Sequence, residues 1–154
     1  MIIQYHRVRQ DALSPTRGHP SDAGLDVYYC PADFSTTAYR IEPATSAILE
    51  TGLRFEVPHG YMLEVKNRSS VAALRGLIVG ACVIDSGYAG EVFINLHNVG
   101  SETQLIEPHT KIAQLVMVPV VPFQPLENEE GELYEYPVTI SNRKDGALGS
   151  TDEA

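Results

Sequence analysis

The chain contains no tryptophan, only two cysteines, three methionines and far fewer bases than acids. Each shortage excludes something. Eleven Lys and Arg against 20 Asp and Glu leave a formal net charge of −9, and no basic stripe offsets it, so the chain as a whole repels nucleic acid. Cys30 and Cys82 lie far apart in no metal-ligand spacing, and reduced thiols are the expected state. The five histidines form no pair with such a spacing either. No apolar run approaches the roughly 20 residues of a membrane-spanning helix. The first residues lack the order of a signal peptide. Rossmann and Walker glycine patterns are absent, and so is any internal repeat. A soluble intracellular protein, with no membrane and no nucleic acid among its partners, is the expectation.

What is present is a chain of 154 residues with 44% apolar content, enough for one domain with a real core. Twelve glycines and ten prolines are scattered through it, which favours many short strands over long helices. Residues 2–8, 24–29, 46–50, 53–57, 61–66, 77–79, 81–84, 91–98, 103–106 and 112–121 read as strands, with 137–141 as one more. Residues 10–22 read as a loop, and Thr51-Gly52 as a turn. In 91–98, Val92, Ile94 and Leu96 alternate with Phe93, Asn95 and His97, the pattern of a half-buried strand. Residues 112–121 are too β-branched for a helix and read as a central strand. The single helix candidate is Ser69–Arg75, capped by Ser69 or Ser70 and stopped by Gly76. Five of the acids fall in Glu127–Glu135, a solvated segment. About ten short strands with one small helix predict an all-β, jelly-roll-like or barrel-like fold.

Several segments carry chemistry. Residues 81–90 (Ala-Cys-Val-Ile-Asp-Ser-Gly-Tyr-Ala-Gly) read as a hairpin presenting Asp85 and the ring of Tyr88 at its tip. A carboxylate so placed can polarise a water for attack on a phosphoryl group, or simply stabilise its own turn. Arg68-Ser69-Ser70 opens the helix, where an arginine and free backbone N–H groups suit an anion or, alternatively, form an ordinary cap. The tail from Arg143 to Thr151 offers glycine-rich backbone and hydroxyls to phosphate oxygens, or is a plain polar terminus. Gln114 is polar inside an apolar run and needs a partner. Asp26, in Ala23-Gly24-Leu25-Asp26, is a structural or a metal-linked carboxylate.

Read in order, these segments resemble a known family. Ala23-Gly24-Leu25-Asp26, Arg68-Ser69-Ser70, Val83-Ile84-Asp85-Ser86-Gly87-Tyr88-Ala89-Gly90, Ile112-Ala113-Gln114-Leu115 and Arg143 with Gly149-Ser150-Thr151 are similar to the five ordered motifs of the trimeric dUTP diphosphatases. The resemblance implies a jelly-roll-like distorted β-barrel over residues 1–141 and a flexible arm over 142–154. It implies a cytoplasmic homotrimer (in the host cytoplasm if phage-encoded) in which each arm closes over a neighbour's site. The implied reaction converts dUTP to dUMP and pyrophosphate with Mg²⁺ on the triphosphate.

By that analogy Asp85 orients the attacking water. Tyr88 packs beneath the deoxyribose, and backbone groups near Cys82 and Val83 read the uracil edge. Arg68, Ser69 and Ser70 hold phosphates, and Gln114 places the α-phosphate and water. Arg143, Leu148, Gly149, Ser150 and Thr151 wrap the outer phosphates and cover the base, while Asp26 reaches the metal through water. The chain departs from the family pattern at four positions: Leu148 stands for an aromatic, Gly87 for an acid, and Cys82 and Asp152 for glycines. Two rival readings remain open at this point. One is a dCTP deaminase, which shares the fold and related motifs; the other is a regulatory binding protein on the same scaffold.

Overall fold

The computed structural model describes residues 1–33, 38–131 and 133. It divides into two compact units, Met1–Pro122 and Phe123–Ala154. The first unit holds all the regular structure described. It contains β1 (Gln4–Arg7), β2 (Leu25–Tyr28), β3 (Tyr39–Ile41), β4 (Ser46–Glu50), β5 (Leu53–Glu56), β6 (Tyr61–Lys66), α1 (Ser69–Arg75), β7 (Leu77–Val79), β8 (Val83–Ile84), β9 (Phe93–Asn98), β10 (Gln104–Ile106) and β11 (Lys111–Pro119). Of the second unit, only 123–131 and 133 are described, so the expected strand at 137–141 and the arm 142–154 lie outside the described residues.

The all-β reading with one short helix holds. Every pairing is antiparallel, in four sheets: β2-β11-β6-β8, β4-β9-β7, β1-β5 and β10-β3. Among the described residues these ladders do not join into one closed barrel. Their shared core explains why the domain still coheres: Val27, Leu49, Leu53, Leu96, Ile106 and Leu115 come from different sheets and pack as one cluster. The alternation in β9 buries Ile94 and Leu96 and turns Phe93 and His97 outward. β11 has strand neighbours on both sides, as its apolar run suggested.

Two local expectations are corrected. Residues 81–90 form no hairpin, because β8 pairs with β6 while β9 pairs with β4 and β7. Thr51-Gly52, read as a turn, connects β4 and β5, which belong to different sheets: β4 pairs with β9 and β5 with β1. Such corners look like hairpin turns in sequence, since a turn signal does not say which partners its flanking strands choose. Neither serine caps α1. Arg68 is the N-cap residue and makes no side-chain cap bond, while Gly76 ends the helix at φ 63° as expected. β3 was not anticipated; its partner β10 lies some sixty residues on and leaves no local trace.

Asn98 locks the junction between β3 and β9. It is 1% exposed, and its amide donates to the carbonyls of Ile41 and Glu102 and accepts from Gly100 N–H. Replacing Asn98 by Leu removes the partner of the buried Ile41 carbonyl and of two part-buried backbone groups, Glu102 C=O and Gly100 N–H. We expect a loss of roughly 3 kcal/mol in chemical denaturation. A loss within error of zero would contradict this role.

Candidate active site

β6 runs directly into the first site segment. Lys66 ends the strand, and Arg68 takes up extended backbone (φ −85°, ψ 133°) before α1 begins. From that position Arg68 Nε donates to Asp26 Oδ1 at 2.8 Å. Lys111 Nζ donates to Asp26 Oδ2 at 2.8 Å. These residues meet because β11 pairs with both neighbours: Gln114 stands opposite Asp26 on one side and Lys66 on the other. The polar Gln114 finds its partner in the Asn67 carbonyl, 2.8 Å from Nε2. Gly24 leaves room for it, since a Cβ there would lie 2.3 Å from Gln114 Oε1.

Burial alone would raise the pKa of Asp26. Hydrogen bonds from Lys111 and Arg68 outweigh it and hold the carboxyl below its ordinary range. The same hydrogen bond raises the Lys111 ammonium above its usual value. Ser69 and Ser70 stand exposed on the first turn of α1.

A second group forms at the other end of the sheet. The Asp85 carbonyl accepts Tyr88 N–H at 3.2 Å across a turn that holds Gly87 at φ 88°. Ser86 Oγ ties the turn to the Val57 carbonyl at 3.0 Å. Tyr88 Oη donates to the Glu91 carbonyl at 2.8 Å. The ring lies close over Gly90, where a Cβ would come within 2.5 Å of the phenol oxygen. Asp85 and Tyr88 share a cleft of about 190 Å³ with Val83, Ile84 and Phe93. Val83 is exposed, while Cys82 packs against the core and gives its carbonyl to Val65 N–H at 2.8 Å. A larger groove of about 570 Å³ lies across the same turn, lined by His6, Arg54, Phe55 and His59. Ser86, Gly87, Tyr88 and Ala89 line it as well, so Tyr88 borders both cavities, while Asp85, Arg68 and Gln114 do not line the groove.

The two groups do not meet within one chain. Ile84, the residue before Asp85, stands opposite Leu63, three positions back along β6 from Lys66. β6 also separates β8 from β11. That puts the Asp85 end about 10 Å along the sheet and roughly 10 Å across it from Gln114. The structure thus gathers Asp26, Arg68 and Gln114 in one place and Asp85 and Tyr88 in another. Arg143, Leu148, Gly149, Ser150 and Thr151 lie outside the described residues.

Sequence reasoning missed Lys111, although a lysine directly before the Ile112-Ala113-Gln114 run was a signal for a cation beside that glutamine. It also missed Glu91 and its partner Arg9, for which no local pattern exists.

Comparison with known proteins gives a consistent result. The family model described as dUTPase matches residues 10–142. A deoxyuridine 5'-triphosphate nucleotidohydrolase of Clostridium kluyveri is 33% identical over 153 residues, covering 98% of each chain. One from Alkaliphilus metalliredigens is 32% identical over 151 residues, covering 97% of this chain and 96% of the relative. Among solved structures, the Staphylococcus bacteriophage 80alpha dUTPase with dUPNHPP superposes with TM-score 0.77 at 25% identity, covering 97% of this chain and 98% of that one. The D95N mutant dUTPase of phage phi11 of S. aureus, described with a structural Mg(II) ion, gives TM-score 0.73 at 26% identity over 86% of this chain and 100% of that one.

The paired Asp26 has a pH signature. Its folded pKa lies below the ordinary 3.8, so its contribution to stability is complete above that value and is lost as pH falls through the folded pKa. Asp26→Asn should therefore destabilise the protein by a constant amount from neutral pH down to about pH 5, with the gap to wild type narrowing in stronger acid. Denaturant midpoints across pH measure this; a gap independent of pH would contradict it.

Proposed function

The chain belongs to the dUTPase family, and from that premise we propose that it hydrolyses dUTP to dUMP and pyrophosphate. The observation that carries this reading is that four separate motifs hang from a single sheet. Asp26 sits on β2, Gln114 on β11, Arg68 at the exit of β6 and Asp85 at the exit of β8.

On this reading Asp85 accepts a hydrogen bond from a water and directs it at the α-phosphorus, taking up proton density as the oxygen attacks. The same carboxylate meets the sugar 3′-hydroxyl. Tyr88, beside it in the cleft, lies beneath the deoxyribose and leaves no room for a 2′-hydroxyl. Backbone groups at Cys82 and Val83 read the uracil edge, and a site that pairs that edge fully rejects bases that leave its groups unpaired. Arg68, Ser69 and Ser70 hold phosphate oxygens, and Gln114 positions the α-phosphate against the water.

The distance between the two groups supports a shared site. One copy offers the Asp85–Tyr88 cleft, and a neighbour offers the Arg68–Gln114 end. A head-to-tail contact of this kind repeats into a closed ring, and a homotrimer satisfies it. Residues 142–154 of a further copy then close the site as an arm, with Arg143, Gly149, Ser150 and Thr151 around the outer phosphates and Leu148 over the base. The resulting enzyme acts in the cytoplasm, and among the described residues no helix is long and apolar enough to cross a membrane.

Mg²⁺ fits as part of the substrate. Among the described residues no three His, Cys, Asp or Glu side chains gather into a metal cage. Both oxygens of Asp26 already bind cationic side chains. Phosphate oxygens and water suit Mg²⁺ as its direct ligands, with Asp26 reached through water. Bound there, the ion neutralises charge on the phosphate chain.

Asp85→Asn should lower pyrophosphate release from dUTP by on the order of 10²–10⁴ while the trimer persists in light scattering. Retained turnover, or ammonia release from dCTP by the wild type, would contradict the reading. Leu148→Phe adds an offset stack of about 0.5–1.5 kcal/mol over the base. It should lower KM roughly two- to tenfold, and an unchanged KM would remove Leu148 from the site.

A further inference from the structure

Glu91 lies just beyond the Asp85–Tyr88 turn and is gripped from three directions. Arg9, 82 residues earlier, forks onto it: Nη1 donates to Oε2 at 3.0 Å and Nη2 to Oε1 at 2.9 Å. Gly52 N–H donates to the same Oε1 at 2.7 Å. The pair is largely buried, with side chains 19% and 15% exposed, and Arg9 also donates to the Cys30 carbonyl. A two-pronged, partly desolvated pair of this kind fixes orientation as well as distance. The next residue is pinned too, since Val92 N–H donates to the Leu53 carbonyl at 2.8 Å and Thr51 Oγ1 donates to the Val92 carbonyl at 2.6 Å.

The held segment borders the proposed site, since Glu91 and Val92 line the same cleft as Asp85 and Tyr88, and it is also tied to Tyr88 directly. The Glu91 carbonyl accepts the Tyr88 hydroxyl at 2.8 Å. Tyr88 is 45% exposed and borders both the cleft and the larger groove, while its phenol end is tied down. No other described hydrogen bond is made by the Tyr88 side chain. The ring's tilt over the cleft therefore depends on where the Glu91 backbone sits.

We infer that Arg9 and Glu91 are positioning residues for sugar discrimination: their ion pair anchors the carbonyl that sets Tyr88 against the 2′ position of the nucleotide. The inference rests on the reading that Tyr88 lies beneath the deoxyribose. It concerns selectivity between a 2′-deoxynucleotide and a ribonucleotide, and it assigns part of that selectivity to the Arg9–Glu91 ion pair.

The test is the ratio of kcat/KM for dUTP over UTP. Glu91→Ala should lower this ratio about tenfold, as expected for a site group displaced by a fraction of an ångström to one ångström. Glu91→Gln keeps an acceptor for Gly52 N–H and should fall between Glu91→Ala and wild type. Tyr88→Phe removes only the tie and should shift the ratio in the same direction with the fold unperturbed; it carries the test if Glu91→Ala does not fold. Both changes break one chain of contacts, so Glu91→Ala combined with Tyr88→Phe should be no worse than the poorer single variant. Tyr88→Ala separates the two claims. If it leaves the ratio unchanged, Tyr88 is not beneath the sugar and the site reading fails. If it collapses the ratio while Tyr88→Phe and Glu91→Gln keep the wild-type value, the site reading stands and the positioning role is overturned.

Discussion

The hydrogen bonding of β11 to β2 on one side and β6 on the other is the constraint on which the rest of this molecule depends. It places Gln114 in a row between Asp26 and Lys66. That row brings together three stretches of chain that are remote in sequence. Because side chains alternate along a strand, a slip of one residue would send Gln114 to the opposite face and part it from Asn67 and Gly24. The register also fixes what cannot meet. β8 joins β6 several residues from the row, so Asp85 emerges away from Arg68. A single chain is therefore an incomplete site, and assembly becomes part of catalysis on the proposed reading.

Charge is the second constraint. The chain carries a formal −9, yet its proposed substrate is a polyanion. Local cations must therefore face the phosphates. Arg68 and Lys111 both donate to Asp26 at one end of the sheet. On the proposed reading Arg68 has two anionic partners, this fixed carboxylate and a phosphate. Arg9 is spent differently. Its fork is turned inward on Glu91, where it supports the turn that carries Asp85 and Tyr88.

Local signals in the sequence were reliable where the physics is local. The span Ser69–Arg75 was readable because alanines and leucine favour helix and a glycine stops it, although its N-cap is Arg68 and not a serine. The alternation of Val92, Ile94 and Leu96 named the buried face of β9 correctly. The 81–90 hairpin failed because strand pairing is decided by the whole core, and β6 competed successfully for β8. β3 was invisible for the same reason, its partner being far along the chain. Motif order singled out Asp26, Arg68, Asp85, Tyr88 and Gln114 as candidates, but not which of them lie together within one chain. Arg9 and Glu91 carry no signal of proximity across 82 residues.

On the proposed reading a working site draws Asp85 and Arg68 from different copies of the chain. Mixing two inactive variants, Asp85→Asn and Arg68→Ala, under conditions that exchange subunits measures this most directly. Pyrophosphate release from dUTP should reappear in the mixture, because some neighbours then pair an intact Asp85 with an intact Arg68. Mixed assemblies that form, as seen by mass spectrometry, yet stay inactive at every ratio would contradict it.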